Sequence, residues 1–271
     1  MRFKVMLFSF LLLMLPARSF AGGASCSTAT ALIPDGRLLA LDYVQPGGTA
    51  WYQFSATANR SYSVEVRDDL DPDNADFTPA NGGGVLFYAA PVSCTTPVSS
   101  TNYTDTHLTE PVAGPHATRF SIVPTVTGAY YLSVQNGSST IGHYVTVAVT
   151  ETTLYGELWT TGGGLATQFQ FVSTTSQNVS CTLTLTATVG GTETKSVTQT
   201  IGPNSTPYPF TFSTGTGAGA GYLGMNTRES GFAVLTHNGP PGAIQADAYW
   251  SNWGTTPVTV IPMPFGPMRG K

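Results

Sequence analysis

Residues 118–149 read TRFSIVPTVTGAYYLSVQNGSSTIGHYVTVAV. Three apolar series alternate with other residues along this stretch: Phe120 and Ile122; Tyr130, Leu132 and Val134; Val145, Val147 and Val149. Successive side chains of a strand point to opposite faces, so a period of two turns each series toward a core. Serine, threonine and glutamine fill most of the places between and face the solvent. Thr127-Gly128 and Asn136-Gly137 separate the series, with residues that accept turn geometry. The stretch predicts three strands of a β-sandwich.

Working outward, the 271 residues suffice for one large or two ordinary domains, and 41% hydrophobic content suffices for real cores. Charged residues make up only 10% of the chain, against about 25% in an ordinary soluble domain. Threonine, serine and glycine replace them, a bias toward strands and turns rather than charged helix faces. A formal net charge of −4, with no cluster of Lys or Arg, argues against nucleic-acid binding.

The N-terminus reads as a targeting segment. Arg2 and Lys4 precede the apolar run 5–15, and Ser19-Phe20-Ala21 offers small residues where signal peptidase reads. Cleavage is expected after Ala21, giving residues 1–21 as signal peptide and an exported chain beginning at Gly22. A lipid anchor on Cys26 is the weaker alternative, because Gly23 stands where that signal wants leucine. No later stretch is long and apolar enough for a membrane span. Of the three cysteines, Cys26 and Cys94 share the first half and are the candidate disulfide of an exported chain. Cys181 falls in the series Val179, Cys181, Leu183, Leu185, Ala187, Val189, which makes it a core thiol.

The domain plan is two consecutive all-β sandwiches, jelly-roll or Ig-like, over residues 22–152 and 153–262, with 263–271 as a flexible tail. In the first, residues 51–56 and 62–66 alternate as a hairpin would around Ala58-Asn59-Arg60, and 85–88 forms a further strand. Residues 91–117 are rich in Pro, Ser, Thr and Asn and read as a long loop. In the second, 168–172, 179–189, 192–201, 244–250 and 258–261 read as strands, as do the pairs Phe210/Phe212 and Phe232/Val234. Gly190-Gly191 is expected to be a two-residue hairpin turn. The proline-rich end of the chain, Pro262-Met-Pro-Phe-Gly-Pro267, is not expected to continue a sheet.

Residues 51–66, WYQFSATANRSYSVEV, resemble the front half of the bacterial pre-peptidase C-terminal domain. That family has an aromatic-rich strand followed by a "G-x-x-Y-x-V-x-V" strand. Residues 85–88, VLFY, stand at the family's central strand, and 127–134, TGAYYLSV, resemble its closing signature. Ala50 replaces a frequent Asp, and Asn59-Arg60 replaces the usual Ala-Gly turn. The resemblance covers residues 38–150 and implies a jelly-roll-like sandwich in an exported protein. It does not imply proteolysis, since the family is appended to peptidases and none precedes it here.

Chemistry-bearing patterns are few. Gly219, Gly221 and Gly224 match the dinucleotide fingerprint by letter, but no strand precedes them and no amphipathic helix follows, so the reading is a glycine-rich hairpin. The nucleophile elbow and the zincin motif are absent, and the four histidines are scattered without metal spacing. Residues 68–76 carry five aspartates, and Asp69, Asp71, Asp73 and Asp76 offer oxygens to a hard cation, with calcium the expected ion. The competing reading is a solvated acidic loop, since Asn74 replaces the turn glycine of an EF-hand. Tyr249 and Trp253 form a candidate ligand surface for a glycan or protein, with Trp250 on the core side. The function expected is an exported, non-enzymatic binding or structural module, extracellular, on the cell surface or periplasmic. The alternatives are a secreted hydrolase with a site outside known motifs, or an accessory chain for secretion or targeting of a partner enzyme.

Overall fold

The computed structural model describes residues 22–37, 42–68, 84–88, 116–136, 139–140, 142–162, 165–203, 210–213, 223–226, 228–252, 259–263 and 265–267. Among them the chain is almost wholly strand, with one 3-10 turn at Cys26–Thr28 and no α-helix. The three series of residues 118–149 become β6 (His116–Ile122), β7 (Gly128–Gln135) and β8 (His143–Glu151). All eight of their apolar members are buried in one core. The five strands ahead of them are β1 (Thr30–Leu32), β2 (Asp42–Val44), β3 (Thr49–Ala56), β4 (Tyr62–Asp68) and β5 (Gly84–Tyr88).

These eight strands form two sheets, ordered β1-β3-β7-β5 and β2-β8-β4-β6. The buried faces of both contribute to a single core built on Tyr52, Phe54, Tyr62, Val64, Tyr130 and Leu132. The hairpin expected between β3 and β4 does not form, because the two strands lie in different sheets. Asn59 adopts the left-handed region (φ 60°) and its N–H donates to the carbonyl of Pro124, so the chain crosses the sandwich there. Periodicity sees which face is apolar, not which neighbour a strand takes.

The second unit holds β9 (Leu154–Thr160), β10 (Leu165–Ser173), β11 (Val179–Val189), β12 (Thr194–Ile201), β13 (Phe210–Ser213), β14 (Ser230–His237), β15 (Ile244–Asn252), β16 (Thr259–Met263) and β17 (Phe265–Pro267). Its sheets run β13-β10-β15-β16 and β12-β11-β14-β9-β17. A separate core contains Trp159, Phe169, Phe171, Leu183, Leu185 and Leu235. The protein is therefore all-β sandwich material in both halves. Between β8 and β9 stand only Thr152 and Thr153, both buried and both hydrogen-bonded to Ser61.

Several local expectations are corrected. Phe265–Pro267, placed in a flexible tail, pairs with β9 opposite Gly156, Tyr155 and Leu154. Phe265 fits there because position 156 is glycine: a Cβ would stand 2.5 Å from its ring. Proline is tolerated because β17 is an edge strand. The β11–β12 hairpin forms, but its last register pair is Thr186 with Thr194, and Ala187 N–H reaches the Glu193 carbonyl. The turn is thus longer than two glycines. Val189 lies beyond a bulge on β11 and is 63% exposed, so the buried series ends at Ala187. On β14 the core side is Ala233, Leu235 and His237, while Phe232 is 43% exposed.

The low charge of the surface has a structural counterpart. On the outer face of β11 and β12, Thr182 bonds Thr198 at 2.9 Å and Thr184 bonds Ser196 at 2.8 Å. Such directly opposed hydroxyl pairs stabilise a sheet without ions.

Candidate functional site

The candidate calcium ligands Asp69, Asp71, Asp73 and Asp76 lie outside the described residues, as do Cys94 and Trp253. Cys26 is disulfide-bonded, and Cys181 is a free, buried thiol. Among the described residues no cluster of three metal-ligating side chains occurs. Of the glycine fingerprint only Gly224 is described. It takes φ 60°, and its carbonyl accepts from Lys195 Nζ.

Tyr249 sits on the outward side of β15, half-buried, beside Asp247, while Trp250 and Ala248 share the opposite parity. Burial first, then the charge and hydrogen bond of Asp247, raises the Tyr249 hydroxyl above its ordinary value. A second aromatic surface escaped the sequence reading. Tyr43 and Tyr144 stand opposite each other on β2 and β8, both exposed, with ring centroids 4.8 Å apart.

A cleft of about 220 Å³ lies where the two sandwiches meet. One wall is β6, through Arg119, Phe120 and Ser121. The other is made by the β10–β11 loop with Thr175 to Asn178, and the β14–β15 loop with Asn238 to Pro240. These loops are mutually fixed. Thr174 bonds Ala243 and Gly242 by its N–H and hydroxyl, and Asn238 Oδ1 accepts from Ser180 N–H at 2.8 Å. Position 239 must be small, since a Cβ there would stand 2.6 Å from that of Ala243.

Arg119 is the charged residue of this cleft. Its Nη2 donates to Glu65 Oε2 at 2.7 Å across the β4–β6 pair, and Arg67 Nε also donates to Glu65. Burial alone would raise the Glu65 carboxyl, but the hydrogen bonds and charges of the two arginines outweigh it and hold it low. Glu65 therefore stays ionised and Arg119 stays positioned. The Arg119 Nε is buried and has no hydrogen-bond partner among the described residues. The rim adds neutral hydroxyls and amides, so the cleft offers one cationic donor among uncharged donors and acceptors. Junctions between domains are preferred places for ligand pockets.

The two sandwiches also touch through the segment joining them. Arg60 pairs with Glu151 at 3.3 Å and covers the ring of Tyr155, whose hydroxyl donates to Glu151 at 2.7 Å. The backbones of Gly239 and Thr152 bond His237.

One nucleophile stands beside one base. Cys181 on β11 and His237 on β14 face each other in register, each 3% exposed. Sequence alone placed them 56 positions apart with no reason to join them. Burial pushes the thiol up to about 12 and the imidazole down to about 4. Both shifts favour the neutral forms, the reverse of the thiolate and imidazolium that nucleophilic catalysis needs. The pair is core.

Comparison with known protein families and with curated proteins returns no match.

Proposed function

We propose that the protein is an exported, non-enzymatic module that binds a protein or glycan outside the cell or at its surface. The observation that carries this reading is the junction cleft, which Arg119 lines together with neutral hydroxyls and amides. A guanidinium in the wall of a cleft favours a ligand acceptor, either a carboxylate or a sugar oxygen. The neutral Cys181–His237 pair supports the non-enzymatic part of the reading. The pre-peptidase C-terminal resemblance, carried by residues on β3, β4, β5 and β7, supports the exported part.

The test is retention of acidic and neutral oligosaccharides and of peptides with free carboxylates on the immobilised protein. Wild type should retain members of the panel, and Arg119→Gln should bind them roughly 10-fold or more weakly. Asn178→Ala, which leaves the Glu65–Arg119 pair intact, should weaken binding in the same order across the panel. Equal retention by both variants would remove the cleft from the reading. Hydrolysis of any panel member, lost on changing one polar residue, would replace it with an enzyme.

A further inference from the structure

The described chain begins on a carboxylate. Gly22 donates its backbone N–H to Asp42 Oδ2, and the Tyr52 hydroxyl donates to the same oxygen at 2.5 Å. Asp42 is 2% exposed, and its Oδ1 has no hydrogen-bond partner among the described residues. Among the described residues the ion pairs join other groups, and none reaches Asp42. A carboxylate so far from water is strongly unfavourable unless a cation or further donors serve it.

The surroundings hold Gly22 in place. A Cβ at position 22 would stand 2.7 Å from Ala50 Cβ, 2.9 Å from Asp42 Oδ2 and 3.0 Å from Tyr52 Cζ, so only glycine brings its nitrogen this close. Gly23 exchanges two backbone hydrogen bonds with Trp51, both 2.9 Å, and the 3-10 turn that follows holds the disulfide-bonded Cys26. The sequence independently places the export cut between Ala21 and Gly22.

We propose that Asp42 is the counter-ion of the mature N-terminus, so that removal of the leader creates the cation this buried carboxylate lacks. The proposal rests on the exported reading above. Hydrolysis of the Ala21–Gly22 amide consumes one water, leaving a carboxylate on Ala21 and an amine on Gly22. An α-amine with an ordinary pKa near 7.7–8.0 takes up a proton at neutral pH. The ammonium carries three N–H donors where the amide carried one, enough for Oδ1 as well as Oδ2. Processing thus completes the first sandwich: the precursor carries a buried anion that the processed chain neutralises. The geometry is specific to a start at Gly22. A chain lipidated at Cys26 would lack both glycines.

Two measurements test this separately. N-terminal sequencing of the exported protein should return Gly22. A chain exported with its leader uncut would overturn the exported reading's cleavage step and this proposal with it. A different mature start would overturn this proposal alone. The second measurement needs no export. The chain 22–271 with a free amine is melted beside the same chain carrying Ala21 or an N-acetyl group. The free amine should melt higher by on the order of 10 °C. In Asp42→Asn the difference should vanish, a double-mutant cycle on one pair. Should Asp42→Asn fail to fold, the acetylated wild-type chain still decides, since equal melting of the free and acetylated chains would overturn the ion pair.

Discussion

His237 should make the second sandwich acid-sensitive, by an amount its burial sets. The imidazole is buried on the core side of β14. Desolvation lowers its pKa from 6.5 to about 4, against the opposing pull of hydrogen bonds to the Gly239 and Thr152 backbone. Above pH 6.5 the ring is neutral in both folded and unfolded chains and contributes nothing to pH dependence. Between 6.5 and about 4 the unfolded chain binds the proton and the folded chain does not, so stability falls as pH falls. Below about 4 both forms are protonated and the loss is complete. The gap corresponds to about 3 kcal/mol, or on the order of 10 °C in melting temperature for a unit of this size. The assay is calorimetric melting at pH 7, 5.5 and 4 for wild type and His237→Gln. The variant should be less stable at pH 7, since it alters a packed core, but should lose much less between pH 7 and 4. An identical loss in both proteins would refute the reasoning, and the acid sensitivity would then belong to other groups.

Four further outcomes are expected. Trp159 is fully buried and donates to the Phe232 carbonyl at 2.9 Å, so Trp159→Ala should cost about 3–5 kcal/mol in urea unfolding of the second sandwich. Glu65, held low by its arginines, contributes stability above its unfolded pKa that is lost as pH falls through the folded one. Acid melting of the first sandwich should therefore be steeper in wild type than in Glu65→Gln. Calcium in place of EDTA should raise the melting temperature by several degrees, magnesium should do less, and Asp71→Ala with Asp73→Ala should remove the gain. Non-reducing peptide mapping should join Cys26 to Cys94, while the buried Cys181 thiol, pushed up to about 12, should alkylate only after denaturation.

Alternation made both cores legible because a strand's faces are written at every second residue. Val145, Val147 and Val149, or Val179 to Ala187, read as buried before any partner is known, and they are buried. Where that logic failed, the missing information was about neighbours. Ala58-Asn59-Arg60 looks like a hairpin turn, yet Asn59 sends the chain to the other sheet. Phe265 looks like the start of a tail until Gly156, more than a hundred residues earlier, leaves a space for its ring.

The sites follow the same rule more strictly, because each is made of residues that no local pattern joins. In sequence Arg119 is one residue beside the apolar Phe120 and Ile122, and its place in the cleft depends on loops from the second sandwich. Cys181 and His237 meet only through the register of β11 and β14. Asp42 is the sharpest instance. In sequence it is one acid among apolar neighbours, where alternation gives no warning of a buried charge. Its significance comes from the Gly23–Trp51 bridge, which holds Gly22 over it, and from the cut expected at the preceding bond. A buried acid without a cation among the described residues is costly in the precursor and neutralised in the processed chain. On the proposed cut, the fold favours the form that begins at Gly22, the glycine whose missing side chain lets the new amine reach the carboxylate.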